Sequence, residues 1–193
     1  SPGPFGNFVE KRKGIDQAHI AIGYYMPSLK DPLRYAAEVF NVILGVGASS
    51  RLYQEIRENK GLAYNIYSSL DQGINYGNGY VYLGVDPSKQ NAAIKLVMNE
   101  IKKLRKIDSK EVEEAKEQLI GSYALDNEDS EKVAFRLLDE ELNGDGKEYY
   151  KYPERISAIA LEDVRKIANI ERFASAVLLP ESEAKEIKEK EDK

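Results

Sequence analysis

The sequence predicts an α+β domain of two layers, a mostly antiparallel sheet with helices packed on one face. Three observations carry that expectation. Residues 17–24 alternate apolar with small or polar side chains, the period of a half-buried strand. Two further strand-like runs, 62–70 and 76–85, are separated only by a turn at 71–75, so they pair as a hairpin rather than through a helical crossover. Several stretches of helical periodicity then follow before one closing strand. Strands adjacent in sequence argue against a doubly wound parallel sheet, and no internal repeat is evident.

Taken in order, residues 1–14 read as an extended lead-in ending in the basic cluster Lys11-Arg12-Lys13. Its opening Ser-Pro-Gly-Pro-Phe-Gly has the character of an interdomain linker, as if an upstream domain precedes it. After the strand at 17–24, Asp31 is placed to cap a helix with Pro32 at its first position. That helix runs over 33–44, with Ala36, Ala37, Phe40, Val42 and Ile43 on its apolar face, and Gly45 and Gly47 end it. Ser49 or Ser50 caps the next helix, 51–59. The hairpin follows. Asp86-Pro87-Ser88 opens a helix with Ala92, Ala93, Leu96, Val97, Ile101 and Leu104 on its apolar face, and Asp108-Ser109 opens another through Val112, Ala115, Leu119 and Tyr123. A third begins near Asp129-Ser130, carries Val133, Phe135, Leu137, Leu138 and Leu142, and stops at Asn143-Gly144. Short helices are expected over 149–159 and 161–170, and a strand over 173–179 ended by Pro180. The expected division is therefore a lead-in at 1–14, one domain at 15–180 and a charged tail at 181–193.

Composition narrows the chemistry. The 193 residues are 42% hydrophobic and 32% charged, the balance of a globular domain with one sizeable core. No cysteine is present, which removes disulfides, thiolate metal sites and cysteine nucleophiles. No apolar run approaches the roughly 20 residues of a membrane-spanning helix. A net charge of −5 provides no basic field for nucleic acid. No secretory signal is visible, so a cytoplasmic location is favoured as an expectation.

Motif chemistry narrows it further. His19 is the one histidine, so neither H-E-x-x-H nor its inverted form exists here, and no metal site is expected in this chain. His19 reads as a hydrogen-bonded strand residue. Gly45-Val-Gly47 fails as a phosphate loop because Ala48, not lysine, precedes Ser49; a helix C-cap followed by an N-cap accounts for it. The carboxylate clusters Glu111-Glu113-Glu114 and Asp139-Glu140-Glu141 sit among lysines and read as solvated helix faces. What remains is Arg57, seven residues before Tyr64 across a helix-to-strand turn broken at Gly61. Such a turn can aim a guanidinium and a phenol at one peptide carbonyl or the oxyanion formed from it. The bland alternatives are a cation favoured at a helix C-terminus and an ordinary sheet aromatic.

The stretch Ser49-Ser-Arg-Leu-Tyr-Gln-Glu-Ile-Arg-Glu-Asn-Lys-Gly-Leu-Ala-Tyr64, with its preceding glycine-rich turn, closely resembles a signature of the pitrilysin family of zinc metallopeptidases, which includes insulin-degrading enzyme and mitochondrial processing peptidase. Gln17-Ala-His-Ile-Ala-Ile-Gly23 and Ala158-Ile-Ala-Leu-Glu-Asp-Val-Arg-Lys-Ile-Ala168 extend the resemblance, which spans about residues 9–180. Members pair two similarly folded domains as a clamshell. The first carries the zinc motif; the second lacks it and supplies an arginine and a tyrosine seven residues apart. The missing motif, the linker-like start and the Arg57/Tyr64 spacing match this chain to the second, C-terminal domain. The resemblance implies that Arg57 and Tyr64 bind the substrate backbone and stabilise the oxyanion. It also implies that zinc and the carboxylate base belong to an N-terminal zinc-bearing domain or catalytic subunit, that the isolated chain is inactive, and that its partner is a peptide substrate, within a homo- or heterodimer. The rival expectations are a non-catalytic structural or peptide-binding subunit of a processing-peptidase-like complex, and an unrelated α+β ligand-binding domain.

Overall fold

The computed structural model describes residues 6–181. The expected tail therefore lies outside the described residues except for Glu181, as do residues 1–5 of the expected lead-in. Five strands form one sheet in the order β1-β5-β2-β4-β3: β1 (Asn7–Arg12), β2 (Ala18–Tyr25), β3 (Ala63–Gln72), β4 (Gly77–Val85) and β5 (Ala174–Pro180). All neighbours are antiparallel except β1 and β5. Helices α1 (Arg34–Gly45), α2 (Gln90–Lys103), α3 (Ser109–Asp126), α4 (Ser130–Asn143), α5 (Tyr152–Ser157) and α6 (Leu161–Ile167) make the second layer.

The two-layer arrangement follows from the alternation in the central strands. Ala18, Ile20, Ile22 and Tyr24 of β2 and Val81, Leu83 and Val85 of β4 are buried, while their neighbours in sequence face the other way. Against the buried face pack Ala36, Val39, Phe40 and Leu44 of α1, Val97 and Ile101 of α2, Val112 of α3 and Val164 of α6. Tyr24 meets Phe40 and Phe173 edge to face, at ring-centroid distances of 6.4 and 6.1 Å. Among the described residues no helix covers the opposite face of the sheet, and Tyr25, Tyr67 and Tyr80 stand exposed on it.

Four expectations need correction. Residues 7–12, expected in an extended lead-in, form edge strand β1. Every residue of β1 is exposed, so no hydrophobic alternation announced it. The first helix starts at Arg34 rather than residue 33, because the Asp31 carboxylate accepts the Leu33 N–H at 2.8 Å and holds Asp31–Pro32 in a turn before it. The run 51–59 passes after Leu52 into a π-helix, Tyr53–Asn59, and Ser50 does not cap it: its hydroxyl donates to the Gly47 carbonyl at 2.7 Å. The run 149–159 divides into a 3-10 segment, Gly146–Lys151, and α5.

The two glycines expected to end α1 do so for different reasons. Gly47 has φ +84°, a left-handed conformation that favours glycine. Gly45 allows contact: a Cβ there would lie 2.5 Å from the Ser68 nitrogen and 2.6 Å from its hydroxyl oxygen. The Ser68 hydroxyl in turn donates to the Asn41 carbonyl at 3.0 Å, so α1 and β3 touch backbone to backbone. Gly45→Ala is expected to destabilise the domain by about 2–3 kcal/mol, the cost of overpacking against main chain. A shifted urea midpoint at constant m-value measures it, and Gly121→Ala, inside α3 with open space around it, is the comparison, expected to stabilise by up to about 1 kcal/mol.

Candidate functional site

The π-helix is anchored by Leu52 and Ile56, both fully buried, and by an ion pair at its entrance. Arg51 grips Glu111 of α3 in a two-pronged contact at 2.7 and 2.6 Å. Glu111 was expected on a solvated helix face, yet it is tied to a residue 60 positions away; its neighbours Glu113 and Glu114 do pair locally, with Lys116 and Lys110. Burying Ile56 leaves the next residue, Arg57, exposed. Its guanidinium lies over the Tyr53 ring, 4.9 Å from the centroid, a cation–π contact that orients the charge without neutralising it. Glu55 is taken up by Lys60 at 3.7 Å and Asn59 at 3.3 Å. Among the described residues Arg57 makes no ion pair and no side-chain hydrogen bond.

The turn to β3 is set by the backbone. The Gly61 N–H donates to the Arg57 carbonyl at 3.1 Å and the Leu62 N–H to the Ile56 carbonyl at 2.9 Å. Gly61 has φ +58°, the left-handed C-terminal stop that lets both bonds form. Pairing of β3 with β4 then slips: Ala63 faces Val85 and Asn65 faces Gly84, so Tyr64 is the extra residue of a β-bulge. Bulging re-aims its side chain, which is 59% exposed and has no hydrogen-bond partner among the described residues. Arg57 and Tyr64 are not bonded to each other. One residue precedes the turn and the other follows it, and both are exposed.

Sequence reasoning missed Tyr53 as the seat of Arg57 and missed the bulge; only the i, i+4 spacing of Tyr53 and Arg57 on a helix hinted at the first. On the open sheet face, His19 Nδ1 and the Tyr82 hydroxyl are hydrogen-bonded at 2.7 Å, as expected for a strand histidine, and Tyr67 packs on Tyr82 with ring centroids 5.3 Å apart. No group of three or more His, Asp or Glu side chains among the described residues is placed to hold a metal ion, so the donor set here does not fit zinc. No helix among them is long and apolar enough to cross a membrane.

Residues 3–119 match the family model described as the peptidase M16 inactive domain. The chain belongs to the peptidase M16 family. This is the pitrilysin-type family that the sequence resembles, and the match is to its inactive, C-terminal domain. An uncharacterised zinc protease of Streptomyces coelicolor is 35% identical over 158 residues, 79% of this chain and 34% of that protein. Like other curated relatives, it is more than twice as long as the M16 domain it shares with this chain. A protease from Helicobacter pylori has the same fold, with a TM-score of 0.83 at 24% identity over 90% of this chain and 44% of that one. The inactive peptidase domain of a zinc protease from Bordetella parapertussis superposes with a TM-score of 0.76 at 20% identity, covering 86% of this chain and 94% of its own.

Away from the turn, this M16 domain holds a second polar cluster beneath α4. Glu38 accepts a hydrogen bond from the Tyr152 hydroxyl at 2.7 Å, Tyr152 stacks on Tyr123 at 5.3 Å, and Arg34 bonds the Tyr35 hydroxyl. Burial pushes the Glu38 carboxyl above its ordinary 4.5, against the opposing pull of Tyr152, Arg34 and Arg136. The folded state therefore holds this proton more tightly than the unfolded chain. The stability tied to Glu38 is complete below pH 4.5 and is lost as pH rises through the raised value. Glu38→Gln keeps an acceptor for Tyr152 and removes the titration. Wild type should lose stability relative to this variant as pH rises from about 4.5 towards neutrality. Urea midpoints of both proteins across that range test it, and parallel profiles would contradict it.

Proposed function

We propose that this chain is the substrate-binding half of a two-domain zinc peptidase and that Arg57 and Tyr64 are its donors to the substrate backbone. One observation carries the reading: an arginine held over a tyrosine ring with no acid partner among the described residues, and an exposed phenol on a bulge, are joined by one hydrogen-bonded turn. A peptide carbonyl oxygen can accept from the Arg57 guanidinium and the Tyr64 hydroxyl together. Negative charge grows on that oxygen as its carbon becomes tetrahedral, so both bonds strengthen towards the transition state, where they accelerate reaction rather than merely bind substrate. Zinc chemistry belongs to the partner domain in this reading. This half binds the peptide, orients it and closes the chamber.

Two outcomes are expected. The isolated chain hydrolyses no peptide. Combined with the separately expressed zinc-bearing domain of its own protein, it restores cleavage, and Arg57→Ala or Tyr64→Phe lowers the restored kcat by about 100-fold or more, the usual worth of an oxyanion donor. Thermal melts of the two variants should match wild type because both side chains are exposed. Restored cleavage that is indifferent to both substitutions would remove the assigned roles.

A further inference from the structure

The π-helix Tyr53–Asn59 is a rare form that recurs at functional sites. Its i→i+5 bonding makes a wider and shorter turn than an α-helix, which brings side chains four apart closer together along the axis. Two such pairs run side by side. Leu52 and Ile56 are both fully buried, while Tyr53 is half-buried and Arg57 exposed. The buried pair sets the rotation of the helix on the domain, and with it the direction in which the Tyr53 and Arg57 pair points.

The residues three and four positions from Arg57 are Tyr53, Gln54, Lys60 and Gly61, none of them acidic. Gln54 donates to the Ala48 carbonyl at 2.7 Å, and Lys60 pairs with Glu55 at 3.7 Å. Among the described residues, the Tyr53 ring is thus the contact that limits where this exposed guanidinium can go. A carboxylate in that place would also hold the arginine, as Glu111 holds Arg51. It would take up the N–H donors and the charge in doing so. A ring face orients the group and leaves both for something else.

We propose that Tyr53 is a positioning residue for peptide cleavage, its ring presetting the Arg57 guanidinium in the orientation that the substrate carbonyl oxygen meets; this rests on the reading of Arg57 as a donor to that oxygen. An unrestrained arginine loses several side-chain rotations when it forms a fixed bond. Where the bond tightens at the transition state, that loss raises the barrier. A ring that has already removed those rotations lowers the barrier without touching the substrate. The effect passes through Arg57, so it cannot exceed the cost of removing the arginine. A cation–π contact is worth about 2-fold at an exposed site and about 30-fold when desolvated, which sets the range expected here.

The test has two readouts. On the chain alone, NMR follows the Arg57 Hδ and Nε–H protons, which the ring current moves upfield while the guanidinium lies over Tyr53. The upfield position should persist in Tyr53→Phe and vanish in Tyr53→Leu. On the peptidase reconstituted with its zinc-bearing domain, Tyr53→Leu should lower kcat by about 3- to 30-fold with KM little changed, and Tyr53→Phe should stay within about twofold of wild type. In the Arg57→Ala background, Tyr53→Leu should cost nothing further, because the residue it positions is gone. Arg57 protons at unshifted positions in wild type overturn the inference. A Tyr53→Leu loss that persists in full without Arg57 overturns it as well, by assigning Tyr53 a merely structural role. An unchanged kcat in Tyr53→Leu beside a slow Arg57→Ala overturns the positioning role and leaves the donor role of Arg57 standing. Wild-type kcat in Arg57→Ala removes the donor role itself and the inference with it, so the two failures are distinguishable.

Discussion

Where α1 ends, Gly45 lies so close to β3 that even one methyl group would fall within 2.5 Å of the Ser68 nitrogen. This contact governs the geometry of the candidate site. β3 is an edge strand with a partner on one side only, so its position depends on what packs beneath it. The glycine and the Ser68 bond to Asn41 seat the strand on the helix layer. From that seat the chain runs back through the bulge at Tyr64, the left-handed turn at Gly61 and the π-helix to Arg57. Each step is made by main-chain bonds, which hold their geometry more tightly than a loop held by side chains would.

Electrostatics divides the arginines of this region into two kinds. Arg51 meets Glu111 in a bidentate contact that pins the π-helix to α3, and its charge is spent within the structure. Arg57 has an aromatic ring beneath it, and the nearby Glu55 is engaged elsewhere. A face contact with tyrosine fixes a guanidinium yet leaves its N–H groups free to donate outward. A structural arginine normally ends on a carboxylate or a carbonyl, as Arg105 and Arg165 do on the carbonyls of Ile170 and Ile107.

Two exposed surfaces among the described residues, the open sheet face and the outer side of α4 with Phe135, Leu138 and Leu142, differ in the same informative way. Tyrosines dominate the open sheet face, whereas phenylalanine and leucines alone make the outer stripe of α4. Side chains with a polar tip tolerate alternate wetting and contact, while purely aliphatic and phenyl surface does not. The helix layer accordingly has a well-packed core under α1, α2 and α6, and at α4 a margin held by ion pairs and caps.

The period-2 and period-3.6 patterns by themselves determined the layer architecture, the hairpin and the principal core residues, and the single histidine ruled out a two-histidine metal motif. Burial of an alternating face is a local property that a strand carries wherever it pairs. Arg57 and Tyr64 were also legible as a spacing. The conformation between them was not, because a π-helix and a bulge arise when buried Ile56 and the β4 register compete with ideal local geometry. β1 was invisible because an exposed edge strand has no core to pattern it. Glu111 was misplaced because its partner is distant in sequence, and the apolar residues of α4 were assigned to one helix but not to its two sides. Only tertiary packing decides which groups from remote segments share a contact, since charge pairing and close approach depend on where whole elements come to rest.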